Sequence, residues 1–256
     1  MLTTFLDLFD LHDASNYLPD LLRGALTSLE LTFSILALSL PCGLLLAVAK
    51  IGRARLPRVL ASVYIEVIRG TPALLQLFYI YFVLPAFGIR FAPFAAGVVG
   101  LSINYSAYLA EVYRAGIEAV PKSQIEAAKA LGMSGRHTLC LIVLPQAIRI
   151  VVPPLGNYAI SLFKDTSLVS IVTVKELMFT GQVVSSTNFQ YVTIFTIVGA
   201  LYLAFSWPSA LVVHWLERKM GTARHANAAA RHDPARSREG EQSYRRLDGT
   251  IGSTRR

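Results

Sequence analysis

Residues 31–49 read LTFSILALSLPCGLLLAVA, nineteen residues without a charge. Nineteen helical residues rise about 28 Å, close to the thickness of a bilayer's hydrocarbon core. Pro41 lies inside the run, and a membrane helix absorbs it as a kink. Glu30 precedes the stretch, and Lys50, Arg53, Arg55 and Arg58 follow it. Upstream, residues 1–20 hold Asp7, Asp10, Asp13 and Asp20 and no Lys or Arg. An acidic front and a basic back orient this helix with its N-terminus outside the cell.

The rest of the chain agrees with a membrane reading. Of 256 residues, 54% are hydrophobic and only 16% charged, where a soluble domain carries about 25% charge. Mean hydropathy is +0.49. These values exclude a disordered or fibrous chain and argue against an ordinary cytosolic enzyme. The length fits an all-α bundle of about five spans at roughly 20 residues each. The expected spans are 31–49, 59–84, 93–113, 147–164 and 191–216, with a short helix and loop over 166–190 outside. The second span contains Glu66 and Arg69 on one face, followed by a Gly70-Thr71-Pro72 break. Regions 50–58, 114–146 and the tail from Glu217 then lie inside and hold 18 of the 24 Lys and Arg. The outer regions 1–20, 85–92 and 164–190 hold three. That asymmetry sets the C-terminus in the cytoplasm.

The ends differ from the middle. Leu2, Phe5, Leu6 and Phe9 recur at helical spacing, which suggests a short interfacial helix within an N-terminal segment 1–20. The absence of a basic n-region argues against a cleaved signal peptide. Residues 221–256 carry eight Arg and no Lys with few apolar groups, and read as a disordered basic cytoplasmic tail. The net charge of +8 is spread between apolar runs rather than along an aromatic-studded stripe, so nucleic acid is not the expected partner. Cys42 and Cys140 read as buried small hydrophobes. No Cys and His spacing suits a metal.

Within the inner segment, Glu126-Ala127-Ala128 is followed by Gly132 and then by Ile142, Leu144 and Pro145. Ile125, Ala128 and Leu131 are apolar at helical spacing, and the two alanines allow close approach. Gly132 is suited to end the helix at positive φ, and Pro145 to start the next span. This is the pattern of a helix built to dock.

The pattern resembles the EAA motif of permease subunits of type I ABC importers, matching at Glu126, Ala127, Ala128, Gly132, Ile142, Leu144 and Pro145. Further stretches resemble the polar-amino-acid (histidine/glutamine-type) branch: Glu66-Val67-Ile68-Arg69-Gly70-Thr71-Pro72, Ala107-Tyr108-Leu109-Ala110-Glu111, Leu144-Pro145-Gln146-Ala147, Pro153-Pro154-Leu155-Gly156-Asn157 and Lys164-Asp165-Thr166-Ser167-Leu168. The likeness covers roughly residues 20–220, with a transmembrane domain over 21–220 and a coupling loop over 115–146. It implies a multi-pass protein of the bacterial inner membrane that pairs with a second permease chain, identical or homologous. Two ABC ATPase subunits would bind beneath, and an extracytoplasmic substrate-binding protein would dock from outside. The implied cargo is a polar amino acid; opines, cystine and compatible solutes fit the sequence equally well. No Gly-Lys pair exists anywhere, so the phosphate-binding G-x-x-x-x-G-K-[ST] loop is absent. The chain is therefore not expected to be an enzyme or to hold a cofactor; ATP and Mg belong to the partner ATPase.

Charges inside a membrane are costly and usually face the bundle or a cavity. Two readings stand for Glu66, Arg69, Glu111 and Asp165. Glu66 with Arg69, and Glu111 with Arg114, pair and fix the packing. Alternatively Glu66, Arg69, Asn104, Asn157 and Asp165 line a substrate path, with Arg69 receiving a carboxylate and Asp165 an ammonium. Lys164 either neutralises Asp165 or meets the binding protein. The rival functions are an ion-coupled secondary transporter and a partner subunit of a heteromeric importer that binds no substrate. A membrane enzyme would need a clustered nucleophile, base or metal set, and none is visible.

Overall fold

The computed structural model describes residues 11–220, with side chains from residue 16. Every regular element among them is helical. In chain order these are α1 (Leu11–Ile51), α2 (Arg55–Arg69), α3 (Ala73–Phe78), α4 (Pro93–Glu118), α5 (Lys122–Ala130), α6 (Gly135–Thr138), α7 (Leu144–Asp165), α8 (Leu177–Asn188) and α9 (Tyr191–Met220). A π-turn (Tyr79–Val83) and a 3-10 turn (Leu84–Phe87) extend α3; a second π-turn (Leu139–Val143) joins α6 to α7, and a 3-10 turn (Thr166–Val172) follows α7. The chain divides into a unit ending at His214 and one starting at Trp215. Of the second unit, only the end of α9 is described; there Lys219 Nζ sits 4.8 Å over the Trp215 ring. The expected interfacial helix at Leu2–Phe9 and the tail 221–256 fall outside the described residues.

The boundary expected at residue 20 lies inside a continuous helix. Leu21 and Ala25 are fully buried against Leu177, Ile194 and Val198. This packing with α8 and α9 holds the start of α1 in the bundle.

Three helices are long and apolar enough to cross a bilayer: Asn16–Ile51, Gly135–Val172 and Tyr191–Met220. The expected second span is not one straight helix, because α2 and the α3 segment meet at 102°. The cause is local. Pro72 lacks an N–H and biases Thr71 away from helical angles, so α2 stops at Gly70, whose N–H bonds Glu66 O at 2.8 Å. The expected third span is the central helix α4. Its buried face carries Ser102, Asn104 and Ser106, which lower its apolarity while leaving it enclosed.

Small residues let α4 approach its neighbours. A Cβ on Gly43 of α1 would lie 2.9 Å from Leu109 Cβ, and one on Gly116 would lie 2.1 Å from Val151 Cγ2 of α7. Such contacts drive association where lipid offers no hydrophobic gain. The main core joins Leu31 and Ile35 of α1, Leu77 of α3, Leu101 of α4 and Leu162 of α7.

Each π-turn ends two residues before a proline, Pro85 or Pro145. A proline withholds its N–H and crowds the carbonyl four residues back, and the wider turn absorbs both effects. The helix of the fourth expected span therefore runs through Pro145 from Gly135, not from near residue 147. Cys42 and Cys140 are exposed rather than buried. Cys42 edges an apolar groove beside Leu38 and Leu45 of α1, Tyr64 of α2 and Ile103 of α4.

Candidate functional site

Residues 122–138 form two short helices around a tight corner. Gly132 adopts φ +73°, the left-handed value expected of it. Met133 N–H bonds Ala128 O and Gly132 N–H bonds Lys129 O, both at 3.0 Å. These are the two bonds of a Schellman cap, which satisfies carbonyls that the end of α5 would otherwise leave open. Ser134 Oγ accepts from His137 N–H and starts α6.

The motif residues fall on two sides. Ala128 is buried, and Ile125 packs on a cluster of Val120, Val143 and Ala147. Gln146 Nε2 reaches Gln124 Oε1 and also Ile142 O at 2.8 Å, lacing α5 to the start of α7. Glu126, Ala127, Leu144 and Pro145 are exposed, and Ile142 is half-buried. Leu131, expected to share the packed face, is 81% exposed at the cap. Its position past the last helical residue turns it away from the stripe of Ile125 and Ala128. Glu126, Ala127 and Leu131 thus form an exposed ridge.

A cavity of about 460 Å³ opens between the α2–α3 elbow, α4 and α7. Its lining includes Arg69, Asn104, Tyr105, Tyr108, Ser161 and Asp165. Tyr105 donates to Asp165 Oδ2 at 2.6 Å. The Arg69 guanidinium lies 5.3 Å above the Tyr108 ring, a cation–π contact that holds it without a counter-charge. Tyr158 meets Tyr105 edge-on at 6.3 Å between centroids. The cavity thus offers a cation, an anion and aromatic walls.

Of the five residues expected along a substrate path, Arg69, Asn104 and Asp165 line this cavity; Glu66 and Asn157 do not. Glu66 lies a turn before the elbow on an exposed part of α2, and Asn157 is one position, about 100° of helix, off the face of Tyr158. No ion pair joins Glu66 to Arg69, or Lys164 to Asp165; both acids are exposed. Glu111 does pair with Arg114, at 2.7 Å, and also with Lys50 at 2.7 Å, tying the C-terminal end of α1 to α4.

Sequence reasoning passed over Tyr105, Tyr108, Tyr158, Ser161 and Gln76. The signal was present: Tyr158, Ser161 and Asp165 share one face of α7 at i, i+3, i+7, and Tyr105 and Tyr108 are three apart on α4. Glu176 was also missed. It is fully buried and accepts from Met178 N–H (2.9 Å), Phe179 N–H (2.7 Å), Ser28 Oγ (3.3 Å) and Tyr202 OH (3.1 Å). Burial pushes its carboxyl above the ordinary range despite these donors. It caps α8 and joins α1, α8 and α9, away from the cavity. Among the described residues no group of three or more His, Cys, Asp or Glu is placed to hold a metal.

Comparison with known proteins bears on this geometry. Residues 39–222 match the family of binding-protein-dependent transport system inner membrane components. The chain is 40% identical over 205 residues to the glutamine transport system permease protein GlnP of Escherichia coli K12, covering 79% of this chain and 94% of that one. It is 38% identical over 206 residues to the L-cystine transport system permease protein TcyB of Bacillus subtilis 168, covering 80% and 88%. Among solved structures, an amino acid ABC transporter crystallised with histidines superposes with a TM-score of 0.79 at 36% identity, over 82% of this chain and 98% of that chain. The MetNI methionine transporter in an inward-facing form shares the fold alone, with a TM-score of 0.59 at 22% identity over 77% and 95%. The matched region spans more than half of the sequence and contains both the cavity and the α5–α7 corner; the chain belongs to the family of binding-protein-dependent transport system inner membrane components.

Proposed function

We propose that this chain is the permease subunit of an ATP-driven importer that moves a polar amino acid across the bacterial inner membrane by alternating access. The observation that carries the substrate class is the cavity, which sets the Arg69 guanidinium and the Asp165 carboxylate among tyrosines. An amino acid offers one carboxylate and one ammonium. Arg69 receives the carboxylate through charge-assisted bonds, and Asp165, oriented by Tyr105, receives the ammonium. The names of the relatives, glutamine and cystine permeases, support the same class.

The remaining assignments follow from this reading. The N-terminus faces outside and the C-terminus the cytoplasm, so the α5 ridge faces the cytoplasm. There Glu126, Ala127 and Leu131 meet a separate ATPase subunit, which supplies ATP and Mg chemistry. A second permease chain completes the pathway, and an extracytoplasmic binding protein delivers the cargo. Closure of the ATPase dimer pushes α5, and the bundle switches which side of the cavity is open. That switch needs two discrete packings rather than a continuous pore.

The test is tagged purification from native membranes, followed by uptake in proteoliposomes. An ATPase and a binding protein co-purify, and Arg69→Gln leaves the complex assembled while lowering uptake about 10- to 100-fold, the loss expected of one charged hydrogen-bonding partner. Normal uptake by Arg69→Gln, in a complex that does transport, overturns the cavity assignment. Recovery of the chain alone, stable and free of any ATPase, overturns the importer reading in favour of a secondary transporter.

A further inference from the structure

Gln76 lies in an apolar run, Ala-Leu-Leu-Gln-Leu-Phe, just past the elbow. It does not line the cavity, yet its side chain is the most heavily bonded polar group near it. Gln76 Nε2 donates to Ile68 O (2.8 Å), Thr71 O (3.3 Å) and Thr71 Oγ1 (2.8 Å). Gln76 Oε1 accepts from Asn104 Nδ2 at 3.1 Å. Thr71 Oγ1 in turn donates to Val67 O at 3.0 Å.

These bonds fix the orientation of two amides. A flipped Gln76 would set its oxygen against two backbone carbonyls, which accept and cannot donate. Its nitrogen must therefore face the elbow and its oxygen α4. Asn104 must then turn its NH₂ group toward Gln76, which turns its carbonyl oxygen away from Gln76. Asn104 is 5% exposed and lines the cavity. The same amide bridges the 102° break and ties the cavity wall at Arg69–Ala73 to α4.

We propose that Gln76 is a positioning residue for transport. It pins the elbow and fixes the Asn104 amide so that Asn104 Oδ1 faces the cavity as a second acceptor for the substrate ammonium beside Asp165. The proposal rests on the cavity being the amino-acid site. It adds that recognition of the ammonium is set by a residue that the substrate never touches.

The experiment uses the purified permease–ATPase complex, with Gln76→Leu and the near-isosteric Gln76→Glu, which keeps the acceptor for Asn104 but loses the donors to Ile68 and Thr71. Backbone hydrogen exchange over residues 69–78 is read without ligand, and equilibrium binding is read with L-glutamine and its 2-hydroxy analogue, which lacks the ammonium. In the wild type, glutamine binds at least tenfold more tightly than the hydroxy analogue. Both variants speed exchange at the elbow about tenfold; Gln76→Leu reduces that preference to under threefold, while Gln76→Glu, which still holds the Asn104 amide, keeps most of it, and binding of the hydroxy analogue changes little in Gln76→Leu. Asn104→Leu removes the preference too, and Gln76→Leu added to it lowers glutamine binding no further. A merely structural role for Gln76 would weaken both ligands equally, and that result overturns the proposal. Unchanged elbow exchange in both variants also overturns it, whatever the ligand does. If the wild type binds neither compound, nor cystine nor histidine, the substrate reading of the cavity fails, and with it the role assigned to Asn104 Oδ1.

Discussion

Replacing Gly132 with Ala tests whether the α5 cap transmits force. The position has φ +73°, and a methyl placed there would meet no atom within 4 Å, so the cost is conformational alone. A left-handed L residue costs about 1–2 kcal/mol. The cap itself rests on two hydrogen bonds, from Met133 and Gly132. At about 0.5–1.5 kcal/mol each, they contribute roughly 1–3 kcal/mol. The substitution therefore removes most of what holds the corner and lowers the ratio of capped to uncapped corner about 5- to 30-fold. The assay is the ATPase rate stimulated by a loaded binding protein in the reconstituted complex. Stimulation is expected to fall at least fivefold in Gly132→Ala and less in Gly132→Asn, since Asn tolerates this conformation better. Gly88→Ala is the matched control: φ is +84°, nothing lies within 4 Å, and the turn is remote in sequence from α5. Wild-type stimulation in Gly132→Ala, or an equal loss in Gly88→Ala, would refute the reasoning.

Other outcomes follow from the same geometry. Glu111→Gln strips the shared partner from Lys50 and Arg114; it should lower stability by about 1–3 kcal/mol, and Lys50→Met added to it should cost little more, as read by thermal melting in detergent. Glu176 has a folded pKa raised above its ordinary 4.5, so its contribution to stability is full below that value and is lost as pH rises through the folded pKa; melts across this window should show a slope in the wild type that Glu176→Gln lacks. Gly116→Ala forces a methyl into the Val151 side chain; it should cost about 1–3 kcal/mol in stability, and Val151→Ala should restore most of it.

Much of the fold was legible because lipid imposes simple rules on sequence. The run 31–49 and its four following cations identified α1, and the run 191–216 was equally plain within the helix Tyr191–Met220. The errors arose where hydropathy and burial part company. The run 59–84 is apolar on average, but Gly70-Thr71-Pro72 breaks the chain direction, and averaging hides a bend. In the candidate site, charge and depth singled out Arg69, Asn104 and Asp165 but also drew in Glu66 and Asn157. Depth does not give azimuth: one residue's shift rotates a side chain by about 100°. The tyrosines were missed because an aromatic in an apolar run is usually packing. Their meaning appears only when α4 and α7 face each other.

The two parts of the site share their supports, and this argues for one device. Asn104, Tyr105 and Tyr108 stand on α4; Tyr158, Ser161 and Asp165 stand on α7. The packed side of α5 rests on Val120, just past the end of α4, and on Val143 and Ala147 at the start of α7. Gln124 and Gln146 add a polar tie between α5 and α7. A displacement of α5 would thus reach the end of α4 and the start of α7, the two helices whose other turns form the cavity wall. Between those points Gly116 and Val151 bring α4 and α7 into close contact. A tight contact there makes the pair pivot rather than slide, since packed interiors transmit strain instead of absorbing it. The Tyr105–Asp165 bond spans the same two helices at the cavity. Rotation of α4 against α7 therefore changes the distance that this bond must cover. If the proposed function holds, a movement at α5 and the presentation of the Asp165 carboxylate are two ends of one lever.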